Sequence, residues 1–198
     1  MSRTELLDNN YKFEQKRPKR TVIFVLRVSL FAFFIIISSQ IIMQAYKVDS
    51  SDKIHLSSNL VIAIFIGIVL LYFAMKVLLM SLFCQYKRDS IATFKVLEEG
   101  GISIFTCREA LKMWQIILIY SVPAVLSYSM LCAMIALWTF EAVFMFFLFL
   151  TSFFMACDFT IAIYVIYAKI TYRPDYIAIN HHIYNLTLYT KPVISEKI

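Results

Sequence analysis

Arg27, Lys76 and Asp158 are the residues best placed to do chemistry in this chain, because each is an ionisable side chain set inside a long apolar run. A charge at mid-bilayer costs about 2.5 to 3.5 kcal/mol on insertion scales, so such groups pair, reach the interface or face water. Arginine and lysine have stems long enough to carry their charge to the head groups; aspartate does not. Asp158 is therefore expected to meet a cation, and Arg27 and Lys76 are the candidates. Together with Tyr120 and Ser121 they form a candidate intramembrane polar cluster. One reading is an inward-facing site for an ion or small anion. The other is a salt bridge, internal or between subunits, that holds the helices together. One acid and two near-interfacial bases make a poor conduction path, which favours the salt bridge.

Other chemistry lacks residues at the spacing it needs. His181 and His182 are adjacent and point in different directions on any regular element, His55 is far away in sequence, and Cys84, Cys107, Cys132 and Cys157 are scattered. No metal site and no cofactor are expected from them. There is no GxSxG, HExxH, phosphate loop or dinucleotide fingerprint, so the expected protein is not an enzyme. Cys84 and Cys107 flank membrane segments and are candidates for S-palmitoylation, with the reduced thiol as the simpler state. No disulfide is expected.

The elements that must position the charges are four apolar runs, Thr21 to Tyr46, Leu60 to Cys84, Met113 to Trp138 and Ala142 to Ala168. A hydrocarbon core of about 30 Å needs about 20 helical residues at 1.5 Å each, so every run is long enough to span. With 61% of residues hydrophobic, the remainder is too short for a second folded core. The first run lacks a small-residue cleavage pattern and reads as an uncleaved signal anchor.

Basic residues set the expected orientation. Lys16, Arg17, Lys19 and Arg20 precede span 1, Lys87, Arg88, Lys95, Arg108 and Lys112 lie between spans 2 and 3, and Lys169 and Arg173 follow span 4. Only Lys47 and Lys53 fall between spans 1 and 2. The positive-inside rule then puts both termini and the middle loop in the cytosol. The Lys16 to Arg20 cluster is read as a topology determinant, with binding to anionic lipid head groups as the alternative. No basic, aromatic-interleaved soluble domain exists to bind nucleic acid.

The fold class expected is an all-α integral membrane protein: a four-transmembrane-helix bundle with both termini cytosolic and a short amphipathic helix in the cytosolic loop between spans 2 and 3. Residues 1–20 form a basic N-terminal segment, 21–168 the membrane domain with its loop at 85–112, and 169–198 the cytosolic tail. The loop helix rests on Ile91, Phe94, Val96 and Leu97 at roughly helical spacing, followed by a reversal at Gly100-Gly101 and capping-box spacing from Thr106 to Glu109. In the tail, Tyr176 to Ile179 and Tyr184 to Tyr189 have strand-like composition. Ser152, Ala156 and Thr160 in span 4, and Ser129 and Ala133 in span 3, form stripes at four-residue spacing that are expected to pack the tight 3/4 hairpin. Pro123 is expected to kink span 3 and free a carbonyl for Ser121 or Ser127.

This order of parts is similar to the tetraspan arrangement of MARVEL-type proteins in topology alone, and no motif assigns a family. The expected function is that of a non-enzymatic accessory, assembly or trafficking subunit, partnered by the lipid bilayer and by other integral membrane proteins or a second copy. The alternative is a small oligomeric transporter or channel using the inner-leaflet charges. Spans of 25 to 27 residues fit a thick membrane such as the plasma membrane better than the endoplasmic reticulum.

Overall fold

The structure, a computed structural model, describes residues 6–7, 9–16, 19–47, 57–83, 95–96, 102–103, 110–137, 142–179 and 186–191. Four long helices dominate: α1 (Arg20–Lys47), α2 (Ser58–Phe83), α3 (Met113–Leu137) and α4 (Ala142–Tyr172). Within them Thr21–Gln44, Asn59–Phe83, Met113–Ile135 and Phe146–Tyr172 are long and apolar enough to cross a membrane. The chain is thus a multi-pass membrane protein by the length and composition of its helices. A helix suits that setting because it satisfies every backbone polar group within the segment.

The helix ends are built from local hydrogen bonds. The Ser57 carbonyl accepts the Leu60 and Val61 amides at 2.9 and 3.1 Å and so opens α2. At the start of α3 the Gln115 side chain turns back to accept the Lys112 amide at 2.9 Å, the reciprocal half of a capping box. The Thr106 to Glu109 box expected from the sequence lies outside the described residues. α4 runs one turn past the expected end at Ala168 and stops where Arg173 turns left-handed, with φ 49°. There the Arg173 amide donates to the Lys169 carbonyl at 3.1 Å and Pro174 follows, which cannot continue the helix. A non-glycine residue in that conformation costs about 1 to 2 kcal/mol. The Lys169 ammonium offsets part of this by donating to the Pro174 carbonyl at 2.6 Å.

The chain divides into two compact units. The first comprises Met1–Arg20, Val77–Ile119 and Ile161–Ile198, and its centre is a three-stranded antiparallel sheet in the order β1 (Lys12–Lys16), β5 (Leu186–Thr190), β4 (Tyr176–Ile179). Tyr189 pairs with both Phe13 and Tyr176, and Leu188 with both Glu14 and Ile177. The outer edge of β4 is met by Leu111, which exchanges two backbone hydrogen bonds with Ile177 at 2.9 and 2.8 Å. Leu6, Ala110, Ala178 and Tyr189 form a buried cluster, with Tyr11 and Tyr176 packed edge to face beside it. The central strand is buried from Leu186 to Tyr189, as a strand with neighbours on both edges and apolar cover requires.

Two expectations change here. The protein is not all-α, because the N-terminal segment and the tail share a sheet. The loop between spans 2 and 3 contains β2 (Lys95–Val96) paired antiparallel with β3 (Ile102–Ser103), where an amphipathic helix was expected. Val96 and Ile102, both β-branched, pair across these two strands, and the rest of the expected loop helix lies outside the described residues. Cys84 and Cys107 lie outside the described residues.

The second unit comprises Thr21–Lys76 and Tyr120–Thr160, the greater part of the four helices. Its core joins Phe34 and Ile42 of α1, Phe65 and Tyr72 of α2, Leu131 and Ile135 of α3, and Leu148, Met155 and Ala156 of α4. Aromatic pairs mark the contacts: Phe31 meets Phe149 edge-on at 4.9 Å, and Phe65 stacks on Phe147 at 3.7 Å. Lipid tails are as apolar as these side chains, so their association rests on close packing and hydrogen bonding rather than on expulsion of water.

Candidate functional site

Helical spacing brings the site together. Tyr72 and Lys76 are four residues apart on α2 and so share one face. Both are buried, as is Asp158 on α4. The Lys76 ammonium donates to Asp158 Oδ1 at 2.6 Å and to the Tyr72 hydroxyl at 2.7 Å, while that hydroxyl donates to Asp158 Oδ2. Each carboxylate oxygen thus has its own donor. The ammonium also lies 4.7 Å from the ring centroid of Tyr120 on α3 and 4.9 Å from that of Tyr72, so aromatic faces complete its surroundings. Three helices meet at one charge pair.

Of the residues proposed from sequence, Lys76, Asp158 and Tyr120 are therefore assembled. Arg27, half-buried on α1, lies within electrostatic reach of Cys157, the residue before Asp158. Ser121 is half-buried beside Tyr120 and joins none of the contacts given above. Tyr72 was missed, although its position one turn before Lys76 is the signal that would have found it.

A second polar contact ties α1 to α3. Ser38 Oγ and Tyr128 Oη lie 2.6 Å apart, and both approach the Phe34 carbonyl, at 2.7 and 3.2 Å. Beside Tyr72 is a cavity of about 20 Å³ whose lining includes Ile68, Ala124, Ser127, Thr151 and Met155. That space is no larger than about one water molecule. Thr151 turns its hydroxyl back to the Phe147 carbonyl at 2.6 Å. No protein-family model matches the chain, and neither a curated protein nor a solved structure is found similar to it. The site's geometry must therefore carry the functional reading.

The small-residue stripes have different fates. Ser152, Ala156 and Thr160 are fully buried, and α4 is the most enclosed helix, 56% of its span being buried against 17% for α1. Ser129 and Ala133 face outward instead. The buried face of α3 is set by Ala124, Ser127, Tyr128, Leu131 and Ile135, on the opposite side of the helix, because the Tyr128 hydroxyl is held at Ser38. Pro123 lies buried inside an unbroken α3. Ser127 Oγ is buried without a hydrogen-bond partner, so it does not engage a carbonyl freed by the proline. Among the described residues no group of three histidine, cysteine or acidic side chains could hold a metal ion.

Proposed function

We propose that this protein is a non-enzymatic four-span membrane subunit that accompanies other integral membrane proteins, as an accessory, assembly or trafficking component. The observation that carries this reading is the closed state of the intramembrane charges. Lys76 donates to Asp158 and to Tyr72, Tyr72 donates to the other Asp158 oxygen, and the cavity beside Tyr72 is no larger than about one water molecule. A conduit needs groups left available to its cargo; this pair is organised to hold helices. The outward faces of the spans, with Phe24, Ile36, Leu70 and Phe146 exposed, suit lipid or the helices of a partner.

Both termini and the loop between spans 2 and 3 lie in the cytosol in this reading. Support comes from the sheet: β1 precedes α1, β5 follows α4, and Leu111 precedes α3, yet all are hydrogen-bonded into one set of strands. Segments paired in one sheet share one side of any membrane that the helices cross, and the bias of basic residues makes that side cytosolic. The plasma membrane is the proposed address on the length of the spans.

Isolation of the full chain from native membranes in mild detergent, with intact-mass measurement of what accompanies it, tests the proposal. A second integral membrane protein in fixed stoichiometry is expected. A homo-oligomer that catalyses ion or solute flux in liposomes would refute it.

A further inference from the structure

The first unit contains a cationic surface that the subunit reading does not use. Lys19, Lys112 and Arg173 are exposed, and each lies within two residues of a span end: before Thr21, before Met113 and after Tyr172. The fold draws these three ends together. Lys16, on β1, places its ammonium 4.7 Å from the ring centroid of Tyr172. Lys19 is therefore at most three residues of chain, about 10 Å, from a residue that touches the neighbour of Arg173. Lys112 follows Leu111, which is hydrogen-bonded to Ile177, four residues beyond Arg173.

Positive charge is in excess among the described residues of this unit. The only carboxylates among the described residues of this unit are Glu14 and Asp175. Glu14 is ion-paired to Lys16, and Asp175 Oδ2 accepts the Lys191 backbone amide at 2.9 Å, so two carboxylates stand against Lys12, Lys16, Lys19, Lys112, Lys169, Arg173 and Lys191. Three exposed cations at three helix ends, in a unit with this excess of positive charge, thus stand at head-group depth on one side of the bilayer.

We infer that Lys19, Lys112 and Arg173 form a binding surface for anionic glycerophospholipid head groups, whose phosphate and carboxylate oxygens complement the cations. The surface requires only that the helices cross the membrane and stands whether or not the protein is a subunit of something larger.

The test uses the full chain reconstituted in phosphatidylcholine bilayers doped with phosphatidylserine, re-extracted in mild detergent, with retained lipids counted by native mass spectrometry. Phosphatidylserine should be enriched over its bulk share, and the enrichment should fall by about five-fold for each charge removed and with added salt. The combined Lys19→Gln, Lys112→Gln and Arg173→Asn variant should approach the bulk ratio; asparagine is chosen because it tolerates the left-handed backbone at 173. A wild-type ratio equal to bulk, a ratio insensitive to salt, or a folded triple variant that keeps the wild-type enrichment would overturn the inference. Should the triple variant fail to fold, the wild-type ratio and its salt dependence decide alone.

Discussion

Replacing Lys76 by Met should destabilise the bundle by about 3 to 5 kcal/mol, whereas replacing Lys76 and Asp158 together by Met and Leu should cost little or nothing. The asymmetry follows from the geometry. Lys76→Met leaves the Asp158 carboxylate buried with Tyr72 as its donor, on a side chain too short to reach water. The carboxylate can shed its charge only by taking a proton, at about 1.4 kcal/mol for each pH unit above its ordinary value near 3.9, or about 4 kcal/mol at pH 7. Asp158→Leu is expected to cost less, because the lysine stem can carry its charge toward the interface. The double replacement leaves neither charge to desolvate. Reversible unfolding by sodium dodecyl sulfate in mixed micelles, run as a double-mutant cycle, measures all four species. The Lys76→Met cost should also shrink as pH falls, since protonation becomes cheaper. Additive single effects, or a Lys76→Met variant as stable as wild type at neutral pH, would refute the reasoning.

Three further outcomes follow from the packing. Ala156→Leu, at a fully buried position, should overpack the bundle and cost about 1 to 3 kcal/mol, while Ala133→Leu on the outward face of α3 should change stability by less than about 0.5 kcal/mol; the same unfolding assay separates them. Leu188→Asp buries an unpaired charge in the central strand and should abolish protection of the β1 and β4 amides in hydrogen exchange, while leaving the spans protected. The sheet should also loosen in alkali. Burial, then the neighbouring Tyr176 and Asp175, raise the Tyr11 phenol, and the hydrogen bond to Glu14 raises the Lys16 ammonium. Both groups hold their protons more tightly folded than unfolded, so their contribution is present below pH about 10 and is lost as pH rises through the folded values. Exchange protection in β1 that is flat through neutral pH and falls only in alkali is expected; a fall between pH 6 and 8 would contradict it.

The helices were legible because their runs exceed the span length by a turn or more, and an apolar run of that length has no other use in a chain of this size. The site was half legible. An aspartate inside a span demands a cation, which singled out Lys76 and Asp158, but Arg27 was an equal candidate because depth alone does not say which helices are neighbours. Tyr72 escaped notice because a hydroxyl among apolar residues is common, and only the carboxylate across the bundle gives it a partner. Four-residue spacing was ambiguous in the same way. It identified Ser129 and Ala133 as a stripe but could not say that Tyr128, bound to Ser38, would turn that stripe outward. β1 was invisible for another reason: Lys12 to Lys16 is an edge strand with little apolar alternation, exposed over most of its length, and its pairing is decided by the tail. In the loop, a short apolar run fits helix or strand equally, so composition alone does not tell the strand at Lys95–Val96 from a helix.

The central claim is that the intramembrane charges are closed off inside the bundle, and the accessibility of Ser127 tests it most directly. Ser127 lines a cavity together with Tyr72, whose hydroxyl links Lys76 to Asp158. With the four native cysteines replaced and Ser127→Cys introduced, a small charged methanethiosulfonate applied to native membranes should leave residue 127 unlabelled from either side. Labelling at the rate of an exposed thiol would show a water path to Lys76 and Asp158 and would contradict the account.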